Sequence, residues 1–213
     1  CIIMKFIKSL AKRNPIISKT YNRLQSLRTI PARDWLSFEK LWLFYGVSSY
    51  TMVPYSRLSN LHTLASDLIR KNIEGSFVEC GVCNGGSAGI IAGVAKSDEN
   101  RSVWLFDSWE GLPEPGGNDV SHKGSRLNKG SLHGSERKVR ELLFGKFGLD
   151  VNRVHLDKGW FFETLPSNKN RIGKIALLHL DCDWYDSMKF CLEELYGNVV
   201  EGGFVVIDDY GYW

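Results

Sequence analysis

Long apolar runs are missing from this sequence. At the amino end Lys5 and Lys8 interrupt the hydrophobic stretch after a few residues, so neither a membrane span nor a secretory signal is expected there. Cysteine is sparse and odd in number, at Cys1, Cys80, Cys83, Cys182 and Cys191. Cys80 and Cys83 spell C-x-x-C, but no second half follows to complete a metal site. Cys80 falls in an apolar run and Cys83 in a Gly-rich turn, so reduced thiols in a cytoplasmic protein are the expectation. A strong excess of one charge is also lacking: the net charge of +3 does not point to nucleic acid. What is present, 213 residues of which 43% are hydrophobic, is enough for one well-buried domain with an extension.

The small net charge hides an uneven distribution. Residues 1–40 carry nine Lys/Arg against two Asp/Glu, and the remainder 18 against 22. Ile3, Phe6, Ile7 and Leu10 repeat at helical spacing among these basic residues, giving a short amphipathic helix. A packing or partner role is expected for it, with weak peripheral membrane contact through residues 1–13 as the alternative. Cys1 rather than Met opens the chain, which makes Met4 a candidate start.

Residues 1–72 follow a helical pattern, with an aromatic-rich run from Trp35 to Tyr45 and a stripe at Leu61, Leu64, Ala65 and Leu68. From residue 73 the period changes. Apolar runs at 77–80, 103–106, 154–156, 175–180 and 204–207 predict five strands. Helical segments lie between them: one near 87–96, one capped by Ser135, and one carrying Met188, Cys191, Leu192 and Leu195 before Gly197. The expected fold is α/β, a doubly wound and mainly parallel sheet over 73–213 behind a helical extension over 1–72. Its ligand crevice should lie at the carboxyl ends of the strands. The glycine-rich stretch 113–134, with His122 and His133, reads as a loop and candidate lid.

The chemistry-bearing residues sit at those strand ends. Strand one runs through Glu79-Cys80-Gly81-Val82-Cys83-Asn84-Gly85-Gly86-Ser87 into a helix. A dinucleotide turn needs glycine where Cys83 stands, so a cofactor without phosphates fits better. In that reading Glu79 faces the ligand's cationic end, and Gly81 and Gly85 let the chain approach it. Asp107 closes strand two and can accept both hydroxyls of a ribose. Gly159 and Trp160 follow strand three, where they could flank an adenine ring. Strands four and five end in Asp181-Cys182-Asp183 and Asp208-Asp209. Four like charges converging on one edge repel unless compensated, and a hard dication such as Mg²⁺ bound through carboxylate oxygens would do so. Asp186 and Ser187 are available to cap the next helix, which leaves Asp181 and Asp183 unexplained by capping.

Several segments in register resemble the macrocin O-methyltransferase family, which includes sugar methyltransferases of mycinamicin and novobiocin pathways. They are Tyr50-Thr51-Met52, Phe77-Val78-Glu79-Cys80-Gly81-Val82, Phe106-Asp107-Ser108-Trp109-Glu110-Gly111-Leu112-Pro113, Lys158-Gly159-Trp160-Phe161, Leu180-Asp181-Cys182-Asp183-Trp184-Tyr185 and Ile207-Asp208-Asp209-Tyr210. The resemblance implies a Rossmann-like class I methyltransferase core that uses S-adenosylmethionine and Mg²⁺ to O-methylate a sugar hydroxyl on a natural product or glycan. By position it implies Asp181, Asp208 and Asp209 as metal ligands, and Thr51, Met52, Glu79, Gly81, Ser87, Asp107, Ser108, Gly159 and Trp160 around the cofactor. It also implies two further strands after the fifth, so a C-terminally incomplete chain is expected, and a homo-oligomer is common in the family. Cys83-Asn84 departs from the bulkier, basic residues of that pattern.

The mechanism expected from these residues has Asp183, or else Asp181, as general base beside the metal-held hydroxyl. Rival readings are a catechol-type O-methyltransferase, a nicotinamide-dependent oxidoreductase, and a non-catalytic cofactor-binding or scaffolding module.

Overall fold

The computed structural model describes residues 37–120, 124, 127–208 and 210. The amphipathic segment 1–13, Trp35, His122 and Asp209 therefore lie outside the described residues. Six α-helices, five strands and one π turn follow in order: α1 (Phe38–Val47), α2 (Tyr55–Arg70), β1 (Ser76–Cys80), α3 (Gly86–Ala95), β2 (Val103–Asp107), α4 (Glu136–Arg140) running into a π turn (Glu141–Lys146), β3 (Val154–Lys158), α5 (Phe161–Ile172), β4 (Ile175–Leu180), α6 (Tyr185–Leu195) and β5 (Val199–Ile207).

The five strands form one sheet in the order β3-β2-β1-β4-β5, parallel throughout. Alternation along the strands decides which layer each residue joins. Phe77, Leu105 and Leu177 face α1, α2, α3 and the π turn, while Val78, Phe106, Leu178 and Leu180 face α5 and α6. Both faces of the sheet are thus covered, which is why β1 and β4 are buried at every position and, apart from Ser76, Glu79 and His179, apolar. α3 is buried all round, as its run of Ala, Gly, Ile and Val requires.

The helices ahead of the sheet share its core. Leu43, Phe44 and Val47 of α1 and Leu58, Leu61, Ala65 and Leu68 of α2 belong to the same buried cluster as Phe77 and Leu105. The expected α2 stripe is buried at Leu61, Ala65 and Leu68, while Leu64 is only partly buried and Leu58, one turn before, joins the stripe. α1 leaves Phe38, Trp42 and Tyr45 exposed on its other side. Among the described residues no helix is long and apolar enough to cross a membrane.

β5 begins five residues before the expected 204–207 run. Val199 already pairs with Ile175, the register then shifts, and Phe204 pairs with Leu177. Glu201 and Gly202 are exposed within that shift, which masked the strand's first half in the hydrophobic pattern.

The strand order reverses between β1 and β4, and there the two chains remain in contact beyond their last sheet residues. Asp181 donates its N–H to the Cys80 carbonyl at 2.9 Å. Gly81 has φ +93°, and a Cβ on it would overlap the Asp181 carbonyl oxygen. Glycine is required here by a neighbouring backbone as much as by any ligand. Gly81→Ala is accordingly expected to lower stability by roughly 3 kcal/mol or more, or to prevent folding. Urea denaturation checks this, and an unchanged midpoint contradicts it.

Candidate active site

Each strand extends its ladder by one more hydrogen bond at the carboxyl edge, so the residues just past the strands are held as firmly as the strands. Gly81 donates to Phe106 O at 2.9 Å, Gly159 to Asp107 O at 3.0 Å and Asp208 to Leu180 O at 3.0 Å. These tips open onto a cavity of about 260 Å³. Met52, Gly81, Asp107, Ser108, Gly159, Trp160, Asp181, Asp183 and Asp208 all line it, together with Arg57 and the apolar side chains of Leu112, Leu132 and Phe161. The structure therefore brings together in one place most of the residues singled out from the sequence.

Three of them stand behind the cavity. Thr51 packs against the first turn of α3, where a Cβ on Gly86 would overlap its side chain. Ser87 lines a smaller adjoining cavity with His179, Arg57 and Asp208. Glu79, expected to face the ligand, is fully buried and pairs with His179, its cross-strand neighbour, Oε1 to Nδ1 at 2.9 Å. Burial opposes a charge on His179, but the hydrogen bond and charge of Glu79 prevail and raise its pKa above the ordinary histidine value. Glu79 Oε2 is buried with no hydrogen-bond partner among the described residues. A polar atom stranded in this way is a place for a water or a ligand donor.

Gly85 also differs from expectation. It caps α3 in the left-handed conformation with φ +91°, and its neighbour across the gap is the Val139 side chain, not the cavity.

Asp107 is the clasp of the glycine turn. Its Oδ2 accepts the backbone N–H groups of Val82 at 2.8 Å and Cys83 at 2.7 Å, and its Oδ1 accepts that of Trp109 at 2.6 Å. A carboxylate offers about four acceptor positions, and three are taken, so the expected bidentate grip on a ribose has about one left. Trp109 reinforces the clasp by donating from its indole to the Cys83 carbonyl at 2.9 Å. Both Cys83 and Trp109 sit at φ +51°, a conformation that these N–H contacts stabilise against its steric cost.

Asp183 occupies the tip of a three-residue turn. It has φ +58°, and Trp184 N–H closes the turn onto Cys182 O at 2.6 Å. Left-handed non-glycine residues cost of order 1–3 kcal/mol and concentrate at functional sites. Here the turn sets Asp183 and Asp181, two residues apart, on the same cavity.

The loop after Pro113 is pinned at its start. Trp184 donates its indole N–H to Pro113 O at 3.1 Å. Asp119, 3% exposed, accepts from Gly116 N at 2.6 Å and from Tyr185 N at 2.8 Å. Asp119 thus serves the first turn of α6, where Asp186 and Ser187 had been expected to act; the Trp184 N-cap makes no side-chain bond of its own. Capping by a residue 66 positions away in sequence leaves no local signal. His133 lines a separate shallow pocket with Lys138 and Lys158, away from the carboxylates.

The electrostatic character of the cavity is clear. Among the described residues lining it, four are carboxylates and Arg57 is the one basic side chain. That set repels phosphates and favours a cationic ligand or a dication. The expected metal ligands Asp181 and Asp208 share the cavity wall with Asp183, and all offer the hard oxygens a dication prefers. Asp209 lies outside the described residues, and among those described no group of three His, Cys, Asp or Glu is close enough to hold a metal.

A family model described as Macrocin-O-methyltransferase (TylF) matches residues 4–213. The demethyldecarbamoylnovobiocin O-methyltransferase of Streptomyces niveus is 34% identical over 187 residues, covering 84% of this chain and 65% of that protein. A Streptomyces olivaceus enzyme, 8-demethyl-8-(2,3-dimethoxy-alpha-L-rhamnosyl)-tetracenomycin-C 4'-O-methyltransferase, is 37% identical over 183 residues, with the same 84% and 65% coverage. This chain thus spans about two thirds of the length of these relatives. The solved O-methyltransferase NovP superposes with a TM-score of 0.66 at 32% identity, covering 75% of this chain and 66% of its own.

Burial first, and then the neighbouring Asp107 carboxylate, push the Cys83 thiol up to about 11. Only the thiolate alkylates, so the rate of iodoacetamide modification at Cys83 should rise about tenfold per pH unit from neutrality and level off near pH 11. In Asp107→Asn the plateau should come at lower pH. Peptide-resolved mass spectrometry reads both; a rate already flat at pH 8 contradicts this account.

Proposed function

The chain belongs to the macrocin O-methyltransferase family, and from that membership we propose that it moves a methyl group from S-adenosylmethionine to a sugar hydroxyl of a glycosylated natural product or glycan, with Mg²⁺ at the carboxylate edge. The observation that carries this reading is the cavity's charge. A donor with a sulfonium, an ammonium and no phosphate suits four carboxylates and one guanidinium, whereas the pyrophosphate of a nicotinamide dinucleotide does not. The Streptomyces olivaceus relative, whose name includes a rhamnosyl group and a 4'-O-methyl transfer, supports a sugar hydroxyl as acceptor.

The roles divide by position. Trp160 and Phe161 supply apolar surface for an adenine ring, and Ser108 with the remaining acceptor position of Asp107 meets the ribose. Gly81 and Gly159 form the floor on which the donor lies. Glu79 acts from behind, where its stranded Oε2 suits a water-mediated contact to the ammonium end. Thr51 and Ser87 fix the first turn of α3 beside it.

Asp181, Asp208 and Asp209 would hold the dication. When bound, that ion supplies Lewis acidity and a template for the acceptor, and the cofactor supplies the reactive methyl group. Asp183, held at the strained turn, takes the proton from the acceptor hydroxyl as general base. Met52, Leu112 and Leu132 provide the apolar rim that excludes water from the transfer.

Asp181→Asn is expected to lower turnover by roughly a hundredfold or more while leaving S-adenosylmethionine affinity within about threefold, as befits a residue acting mainly in the transition state. Calorimetry and a radiolabelled methyl assay check the two halves. Undiminished wild-type activity in EDTA removes the metal from the reading. Calorimetric binding of NAD in preference to S-adenosylmethionine overturns the donor assignment.

A further inference from the structure

Arg57 stands in the first turn of α2 and lines the cavity with the carboxylates. Its Nη1 donates to Asp208 Oδ2 at 2.7 Å and also approaches the Asp208 carbonyl oxygen at 3.4 Å. The Asp208 side chain is 10% exposed and the Arg57 side chain 48%. Both residues line the main cavity and the adjoining one, so their ion pair forms part of the wall between the two. No other Lys or Arg among those described lines either cavity; His179, which lines the adjoining one, is paired with Glu79.

This placement has two consequences. Asp208 sits with Asp181 and Asp183 in one concave, poorly solvated region, and their mutual repulsion needs a positive charge nearby. Arg57 supplies one through a charge-assisted hydrogen bond. A dication bound at the same carboxylate would lie a short distance from the guanidinium, and the two cations would repel across that gap. The half-exposed side chain has somewhere to go, since its planar head is weakly hydrated and its stem is long.

We propose that Arg57 is the internal counter-cation of the carboxylate edge: it neutralises Asp208 and competes electrostatically with a dication for the same carboxylate. The inference rests on the reading of Asp208 as a metal ligand, and adds to it that metal affinity is set by competition with a side chain of α2. It follows that the carboxylate edge is stabilised at the expense of metal affinity, and that metal binding weakens the Arg57–Asp208 pair at the boundary of the two cavities. Arg57 is thus a positioning residue, acting through Asp208.

The test is a calorimetric titration of Mg²⁺ alone, without methyl donor or acceptor, into the wild-type chain, Arg57→Gln and Arg57→Lys. Arg57→Gln should bind Mg²⁺ roughly three- to tenfold more tightly at low ionic strength, with the gap narrowing as salt screens the exposed guanidinium. Arg57→Lys keeps the charge and should stay near wild type. In the absence of metal, Arg57→Gln should melt at lower temperature than wild type and regain more on adding Mg²⁺. Equal or weaker Mg²⁺ binding by a folded Arg57→Gln, with wild type binding normally, overturns this inference alone. If neither protein binds Mg²⁺, the metal reading of Asp208 fails and this inference with it.

Discussion

The close approach of Gly81 to the backbone of Asp181 is the constraint from which the rest of the carboxyl edge follows. The sheet order reverses between β1 and β4, so the loops leaving these two strands turn to opposite faces and a crevice opens between them. The crevice keeps its shape because the strands stay hydrogen-bonded past their ends, with no side chain at Gly81 to wedge them apart. Asp181 and Asp183 are thereby fixed against the glycine turn, and β5, paired to β4, delivers Asp208 to the same wall.

Such a concentration of like charge is costly, and the structure offsets it in distinct ways. Asp107 spends its acceptors on three backbone N–H groups, which makes it a structural clasp as much as a binding group. Glu79 is withdrawn from the cavity and paired with His179 in the core. Asp208 is matched by Arg57. Asp119, another buried carboxylate, is consumed in tying the loop 113–119 to α6. These four acidic groups near one edge thus have different tasks, and their backbone and side-chain partners decide which.

Much of the fold was legible because it rests on local periodicity. The five strands, the Ser135 cap and the helix carrying Cys191 and Leu195 all appear where the apolar spacing put them. The start of β5 was not, because exposed Glu201 and Gly202 break the apolar pattern while the backbone still pairs. In the α2 stripe Leu61, Ala65 and Leu68 are buried as their spacing predicts, but Leu58 and Leu64 are equivalent in hydrophobicity, and only the packing beneath decides which one is covered. The cavity's membership was likewise largely readable, since a parallel sheet presents the residue after each strand to a common edge.

The sequence by itself determined which residues would arrive at the carboxyl edge and that their charge would be negative, because strand alternation and strand-end position are local properties of the chain. Tertiary structure alone decided how each carboxylate is used. Whether an acid faces a ligand, a backbone N–H, a histidine or an arginine depends on partners distant in sequence, as with Glu79 and His179 or Arg57 and Asp208. Those pairings exist only after the sheet has assembled, and no spacing along the chain records them.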